Sequence, residues 1–200
     1  MKKFNTADTV DYRRRKEDAE ADALFYERWS PRSFSGRELP EETLRVIFDA
    51  ARWSPSCYND QPWLFVTASS GAADFDVFLN LLVEGNQGWA HSASLLGFLF
   101  ARLHFDHNGK PNASAVFDCG AAWMAMTLQA RRLGLYTHGM AGIKRDEVCA
   151  ALGVDEDKYR VVCGFALGEI GAPQQLAAEL ADGEKPSPRK PLPAIWRRGA

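Results

Sequence analysis

The stretch from Ala115 to Leu133 restricts the fold more than any other part of the chain. It is rich in small residues and almost without charge until Arg131, and Gly134 follows as a terminator. A helix of this composition has no polar face to offer water, so it is expected at the centre of the molecule with other elements around it. The chain can supply those surroundings. Of its 200 residues 46% are hydrophobic and 25% charged, the balance of a globular protein with one sizeable core or at most two small ones.

Local signals place the other elements. Asp22 precedes a short amphipathic turn, Ala23 to Tyr26. Pro31 disfavours helix at Ser30, which predicts an extended stretch around Arg28 to Phe34 with its amides free to bind something. A helix is expected over Glu41 to Trp53: Pro40 stands at its start, acids fill its first turn, and Leu44, Ile47, Phe48 and Ala51 share a face. Ser54 to Pro62 is a loop and Trp63 to Thr67 a strand. Further helices are expected over Ala73 to Val83 and Lys144 to Leu152, and further strands over Ser94 to Ala101 and Tyr159 to Leu167. Glu84 to Trp89 reads as a turn, His104 to Asn112 as a polar loop, and Gly134 to Gly142 as a Gly-rich turn. The tail from Glu169 is rich in proline and charge but ends in the apolar run Leu192 to Trp196, which suggests docking. No repeat or linker divides the chain, so residues 1–22 are read as a charged arm and 23–200 as one domain with a C-terminal extension.

Charge and targeting signals exclude several classes. Lys and Arg number 24 against 26 Asp and Glu, a net charge of −2, which argues against a dedicated nucleic-acid binder. The first residues are too charged for a secretory leader, and the longest apolar run, Ala93 to Ala101, is too short to span a bilayer. The expectation is a cytoplasmic, soluble protein without membrane or nucleic-acid partners. The four cysteines (Cys57, Cys119, Cys149, Cys163) contain no CxxC pair and read as free thiols. The basic block Arg13 to Lys16 reads as a solvated face or loose arm.

Chemistry is then sought in motifs. There is neither a GxGxxG fingerprint nor a P-loop. His104 and His107 lack a third partner at helical spacing, so no metal site is expected. Three features remain. Alternation along an extended strand puts Arg28, Ser30 and Arg32 on one side, a suitable clamp for phosphate or another anion. The loop Pro55-Ser56-Cys57-Tyr58-Asn59-Asp60-Gln61-Pro62-Trp63 offers small and amide side chains. The Gly-rich stretch through Met140, Ala141 and Gly142 lets backbone amides approach a flat ligand. Together they imply a phosphorylated ligand.

In this order the segments resemble the nitroreductase family of FMN-dependent oxidoreductases, over about Asp22 to Trp196. The family's R-x-S-x-R segment is matched by Arg28-Trp29-Ser30-Pro31-Arg32, and its P-S-S-x-N-x-Q-P-W loop by Pro55 to Trp63. A further Asn is matched by Asn86, and the long small-residue helix ends in Gly134-Leu135. The resemblance implies an α+β fold, with a central mixed, mostly antiparallel sheet flanked by helices, in an intertwined homodimer that binds FMN at its interface. It implies that Arg28, Trp29, Ser30 and Arg32 hold phosphate and pyrimidine edge, with Asn86 on the flavin carbonyls. Pro55, Ser56, Cys57 and Asn59 would come from the other subunit. Met140, Ala141 and Gly142 would face the flavin N5 region. Near the C-terminus Arg189 matches one member of a basic pair, while Ser187 stands at the other, leaving Lys190 as a substitute. Cys57 replaces a usual Ser, so its redox role stays open. The implied reaction passes a hydride from NADH or NADPH through flavin N5 to a nitroaromatic, quinone or enone by a ping-pong mechanism, with no catalytic side chain. Other flavin chemistry on the same fold, or a non-enzymatic FMN-binding module, remain the alternatives. Trp29, Tyr58, Trp89 and Tyr136 either shape an acceptor pocket or belong to the core.

Overall fold

A computed structural model describes residues 10–15 and 19–199. Lys16, where the basic block meets the acidic one, lies outside the described residues.

The centre of the fold is the strand β2 (Leu95–Arg102), buried along almost its whole length. Its side chains alternate. Leu96, Phe98 and Phe100 face one core, and Leu95, Leu99 and Ala101 face the other, as the two-residue period of a doubly covered strand requires. On either side lie β1 (Trp63–Ser69) and β4 (Tyr159–Gly168), and β3 (Tyr136–Met140) completes the order β1-β2-β4-β3. Among the described residues all three strand pairings are antiparallel. The architecture is α+β, with the sheet antiparallel throughout the described residues.

Helices α1 (Ala23–Glu27), α2 (Glu41–Arg52) and α5 (Ala115–Arg132) end within about a residue of expectation. The α5 helix is central, as its composition demands. Ala122, Met126 and Ala130 are fully buried and pack with Ile47 and Ala51 of α2 and with Phe165 and Leu167 of β4. At roughly 1.5–3 kcal/mol for each large apolar side chain buried, this layer and the opposite one dominate the fold's stability. The opposite face is covered by α3 (Phe75–Asn80), α4 (Glu84–Ala90) and α6 (Arg145–Ala151). A last short helix, α7 (Ala178–Ala181), lies in the tail.

Two expected turns are regular structure instead. Residues 84–90 form α4 although Gly85 and Gly88 each cost a helix about 1 kcal/mol. Burial of Trp89, 1% exposed, outweighs that cost, and the Gln87 amide donates to the Leu82 carbonyl at 2.7 Å. Residues 136–140 form β3, paired from Tyr136 opposite Gly168 to Met140 opposite Gly164. Gly139 there marks a close approach and no turn: a Cβ on it would meet the Trp123 ring of α5 at 3.2 Å.

The arm is anchored where it is described. Val10 and Tyr12 pack against the core, and the Tyr12 hydroxyl lies 3.3 Å from the Glu27 carbonyl and 3.1 Å from the Tyr136 hydroxyl.

Candidate functional site

The extended segment after α1 is fixed by partners far along the chain. Phe34 bridges Ile170, and the Ser35 and Gly171 amides donate to Glu169 and Ser33 carbonyls at 2.9 Å. The Glu184 carboxylate accepts the amides of Arg32 at 2.6 Å and Ser33 at 2.8 Å. The expectation that these amides are free is therefore corrected: the tail satisfies them, and what the segment offers outward is its side chains.

Those side chains converge. Arg28, Trp29, Ser30 and Arg32 line a cavity of about 350 Å³ together with Arg15, His138, Lys185, Ser187 and Arg189. Arg28, Ser30 and Arg32 face one space, but Trp29 between them lines it too, so the grouping is not one of strict alternation; the Arg28 guanidinium donates to Ser30 Oγ at 3.3 Å. Arg189 arrives from the tail. Its guanidinium rests on the Ser187 carbonyl and hydroxyl at 3.2 and 3.3 Å. Lys190 lines the adjoining cleft beside Phe25 and Ile195, so the second tail cation in the cavity is Lys185.

No carboxylate lines this cavity among the described residues. Like charges crowd it instead. Burial and the neighbouring Arg189 lower the pKa of Arg28, and burial with Arg189 and Arg28 brings Arg15 down to about 10. Cations held so close are relieved by an anion between them, and planar guanidiniums suit a phosphate. His138 on β3 closes one wall: its Nδ1 lies 2.8 Å from the Pro31 carbonyl and its ring packs on Trp89 at 4.6 Å. Burial, reinforced by Arg32 and Arg28, lowers its pKa below 6.5.

From His138 the strand runs on to Met140, Ala141 and Gly142. Asn86 on α4 meets this end: its Nδ2 donates to the Gly142 carbonyl at 2.9 Å, and the Val83 amide donates to the same carbonyl at 3.1 Å. A Cβ on Gly142 would come within 2.7 Å of Asn86 Nδ2, so glycine is what allows the two elements to touch.

Pro55, Ser56, Cys57 and Asn59 lie elsewhere in the chain and contribute nothing to the cavity lining. Cys57–Asn59 is a single 3-10 turn in which Tyr58 and Asn59, and then Gln61, take positive φ of 54°, 55° and 49°. Three non-glycine residues in that region cost of order 1–3 kcal/mol each and persist where the surroundings enforce them. Here the Asp118 carboxylate accepts the Cys57 amide at 3.1 Å, and Asp60 is held by Arg102 at 3.0 Å and Asn112 at 3.2 Å. Tyr58 projects outward, 79% exposed, whereas Trp29, Trp89 and Tyr136 are buried.

Sequence reasoning missed Arg15, His138 and Lys185 as neighbours of the clamp. Arg15 sat in a block read as solvated, and His138 inside a stretch read only for its glycines.

A profile of the nitroreductase family matches residues 26–85 and 69–169. The chain belongs to the nitroreductase family. A crystal structure of an oxidoreductase containing FMN superposes with a TM-score of 0.90 at 42% identity, covering 93% of this chain and 95% of that one. The nitroreductase NfnB of Mycolicibacterium smegmatis is 41% identical over 54 residues, 27% of this chain and 23% of that relative. A protein of Archaeoglobus fulgidus named for NADH dehydrogenase and NAD(P)H nitroreductase is 26% identical over 155 residues, 76% of this chain and 84% of that one. The part of this nitroreductase-family chain matched by the profile contains Arg28, Ser30, Arg32 and Asn86; Arg15 and the tail residues Lys185 and Arg189 fall outside it.

Proposed function

We propose that the chain is an FMN-dependent oxidoreductase that takes reducing equivalents from NADH or NADPH and delivers them to a small nitroaromatic, quinone or enone in a ping-pong cycle. The observation that carries this reading is the carboxylate-free cationic cavity at Arg28, Ser30, Arg32 and Arg189, joined by one strand to the Gly142 turn. A phosphate suits the first, and the second puts the backbone of Ala141 and Gly142 at the end of the same strand. The 42% identity to an FMN-containing oxidoreductase supports the choice of FMN.

Bound FMN would supply the hydride-accepting and hydride-donating centre, which no side chain has to provide. The chain's own residues hold and shield. Arg28, Ser30, Arg32 and Arg189 anchor the phosphate, with Trp29 as a buried wall. Met140, Ala141 and Gly142 present backbone to the ring edge, and Asn86 fixes that backbone through the Gly142 carbonyl. Pro55, Ser56, Cys57 and Asn59 serve the same cofactor from a second copy of the chain in a homodimer, which gives the strained turn a purpose that its own subunit does not. Cys57 is a small packing residue there.

The test is the visible spectrum of the purified protein before and after anaerobic addition of NADH or NADPH. Oxidised-flavin bands that bleach on addition are expected. A colourless protein that added FMN cannot reconstitute would overturn the reading.

A further inference from the structure

Arg15 belongs to the arm, ahead of everything the family profile matches, yet its guanidinium reaches the cavity. One nitrogen, Nη1, is committed: it donates to the Tyr26 carbonyl and, at 2.7 Å, to the Arg28 carbonyl. The other two, Nε and Nη2, are buried and have no partner among the described residues. They form the side edge of the guanidinium, where two parallel N–H groups match two oxygens of a carboxylate or phosphate. Arg13 shows the same edge in use, with Nε and Nη2 on the Asp11 carboxylate at 2.9 and 2.8 Å. A buried guanidinium edge without a partner is costly, and Arg15 lines the same cavity as Arg28, Arg32 and Arg189, where an anion would relieve the crowding of charge.

We infer that Arg15 is a further phosphate ligand of the bound cofactor, delivered by the arm, and that it clips the arm over the phosphate. The inference rests on the FMN reading. Arg15 adds to the two tail cations, Lys185 and Arg189, a charge supplied from the arm. Tyr12 holds the arm in place through Glu27 and Tyr136, so the guanidinium is prepositioned.

The experiment titrates flavin-free protein with FMN and with riboflavin, which lacks the phosphate, following quenching of flavin fluorescence. For Arg15→Gln, FMN affinity is expected to fall about 10- to 100-fold while riboflavin affinity stays unchanged. Arg15→Lys, which keeps the charge and loses the two-pronged edge, is expected to recover part of the loss. Unchanged FMN affinity in Arg15→Gln would overturn the inference. So would equal losses for both flavins, which would make Arg15 a brace for the Tyr26 and Arg28 carbonyls only. If the wild-type protein binds neither flavin, the FMN reading itself fails, and this inference with it.

Discussion

Asp60 shows how much a single buried charge can organise. Its side chain is 2% exposed, and it accepts from the Arg102 guanidinium, the Asn112 amide and, at 3.0 Å, the Asp106 backbone. Removing its carboxylate leaves Arg102, 16% exposed, with Asp106 and the Asp60 backbone carbonyl at 2.8 Å. Asp60→Ala should therefore cost about 3 kcal/mol of unfolding free energy, read as a lower urea midpoint; a loss under about 1 kcal/mol would put the network at surface value. His138 is governed by burial first and by the nearby cations Arg32 and Arg28 second. Because its folded pKa lies below 6.5, the unfolded chain takes up the proton first as pH falls. Its contribution to stability is then complete above the unfolded value of about 6.5 and is lost as pH drops towards the folded midpoint. Ring-proton NMR of the flavin-free protein should give a midpoint below 6.5, and one at or above it would refute the burial of the ring beside Arg32 and Arg28. At this scale the sequence was partly legible. Alternation alone grouped Arg28, Ser30 and Arg32, but nothing local joins Arg32 to Glu184 across 152 positions or Arg15 to either.

The elements divide by whether local chemistry or burial decides them. The α2 and α5 helices carry their own start and stop signals, and β2 and β4 their own apolar runs, so each was readable from its residues. The α4 helix and β3 strand were not, because glycine in both mimics a turn while Trp89, Tyr136 and Met140 are pulled into the core. The two kinds of glycine separate by substitution. A Cβ at Gly88 would meet nothing within 4 Å, so Gly88→Ala should raise stability by about 0.5–1 kcal/mol. Gly142→Ala would press on Asn86 and on Val83, whose Cγ2 lies 2.8 Å from the added carbon; it should cost about 1–3 kcal/mol. Thermal unfolding of both variants checks the pair, and shifts of the same sign would contradict the assignment of α4.

The molecule as a whole leaves aromatic surface uncovered around the strained turn. Tyr58 is 79% exposed and Phe117 is 82% exposed, and the Cys57–Asp118 hydrogen bond ties their two elements together. Exposed apolar groups gathered this way mark a docking face, in keeping with the homodimer proposed above. Sedimentation should give a dimer for the wild type, with Phe117→Glu shifted towards monomer and depleted of flavin. A monomeric Phe117→Glu that keeps its flavin would show that one copy suffices. Sequence could not display this face, because Phe117 looks like one more apolar residue of a buried helix until the first turn of α5 is seen to bury Ala115 and Asp118 and leave Val116 and Phe117 outside.

The cavity at Arg28 draws its walls from residue 15 at one end of the chain and from residues 183–189 near the other. That makes the cavity a readout of complete folding. The Glu184 carboxylate has to return to the Arg32 and Ser33 amides across the whole domain, and bringing such distant segments together is the slow, entropically costly part of building a site. A chain that has formed its sheet and central helix but has not docked its tail meets its ligand with fewer cations.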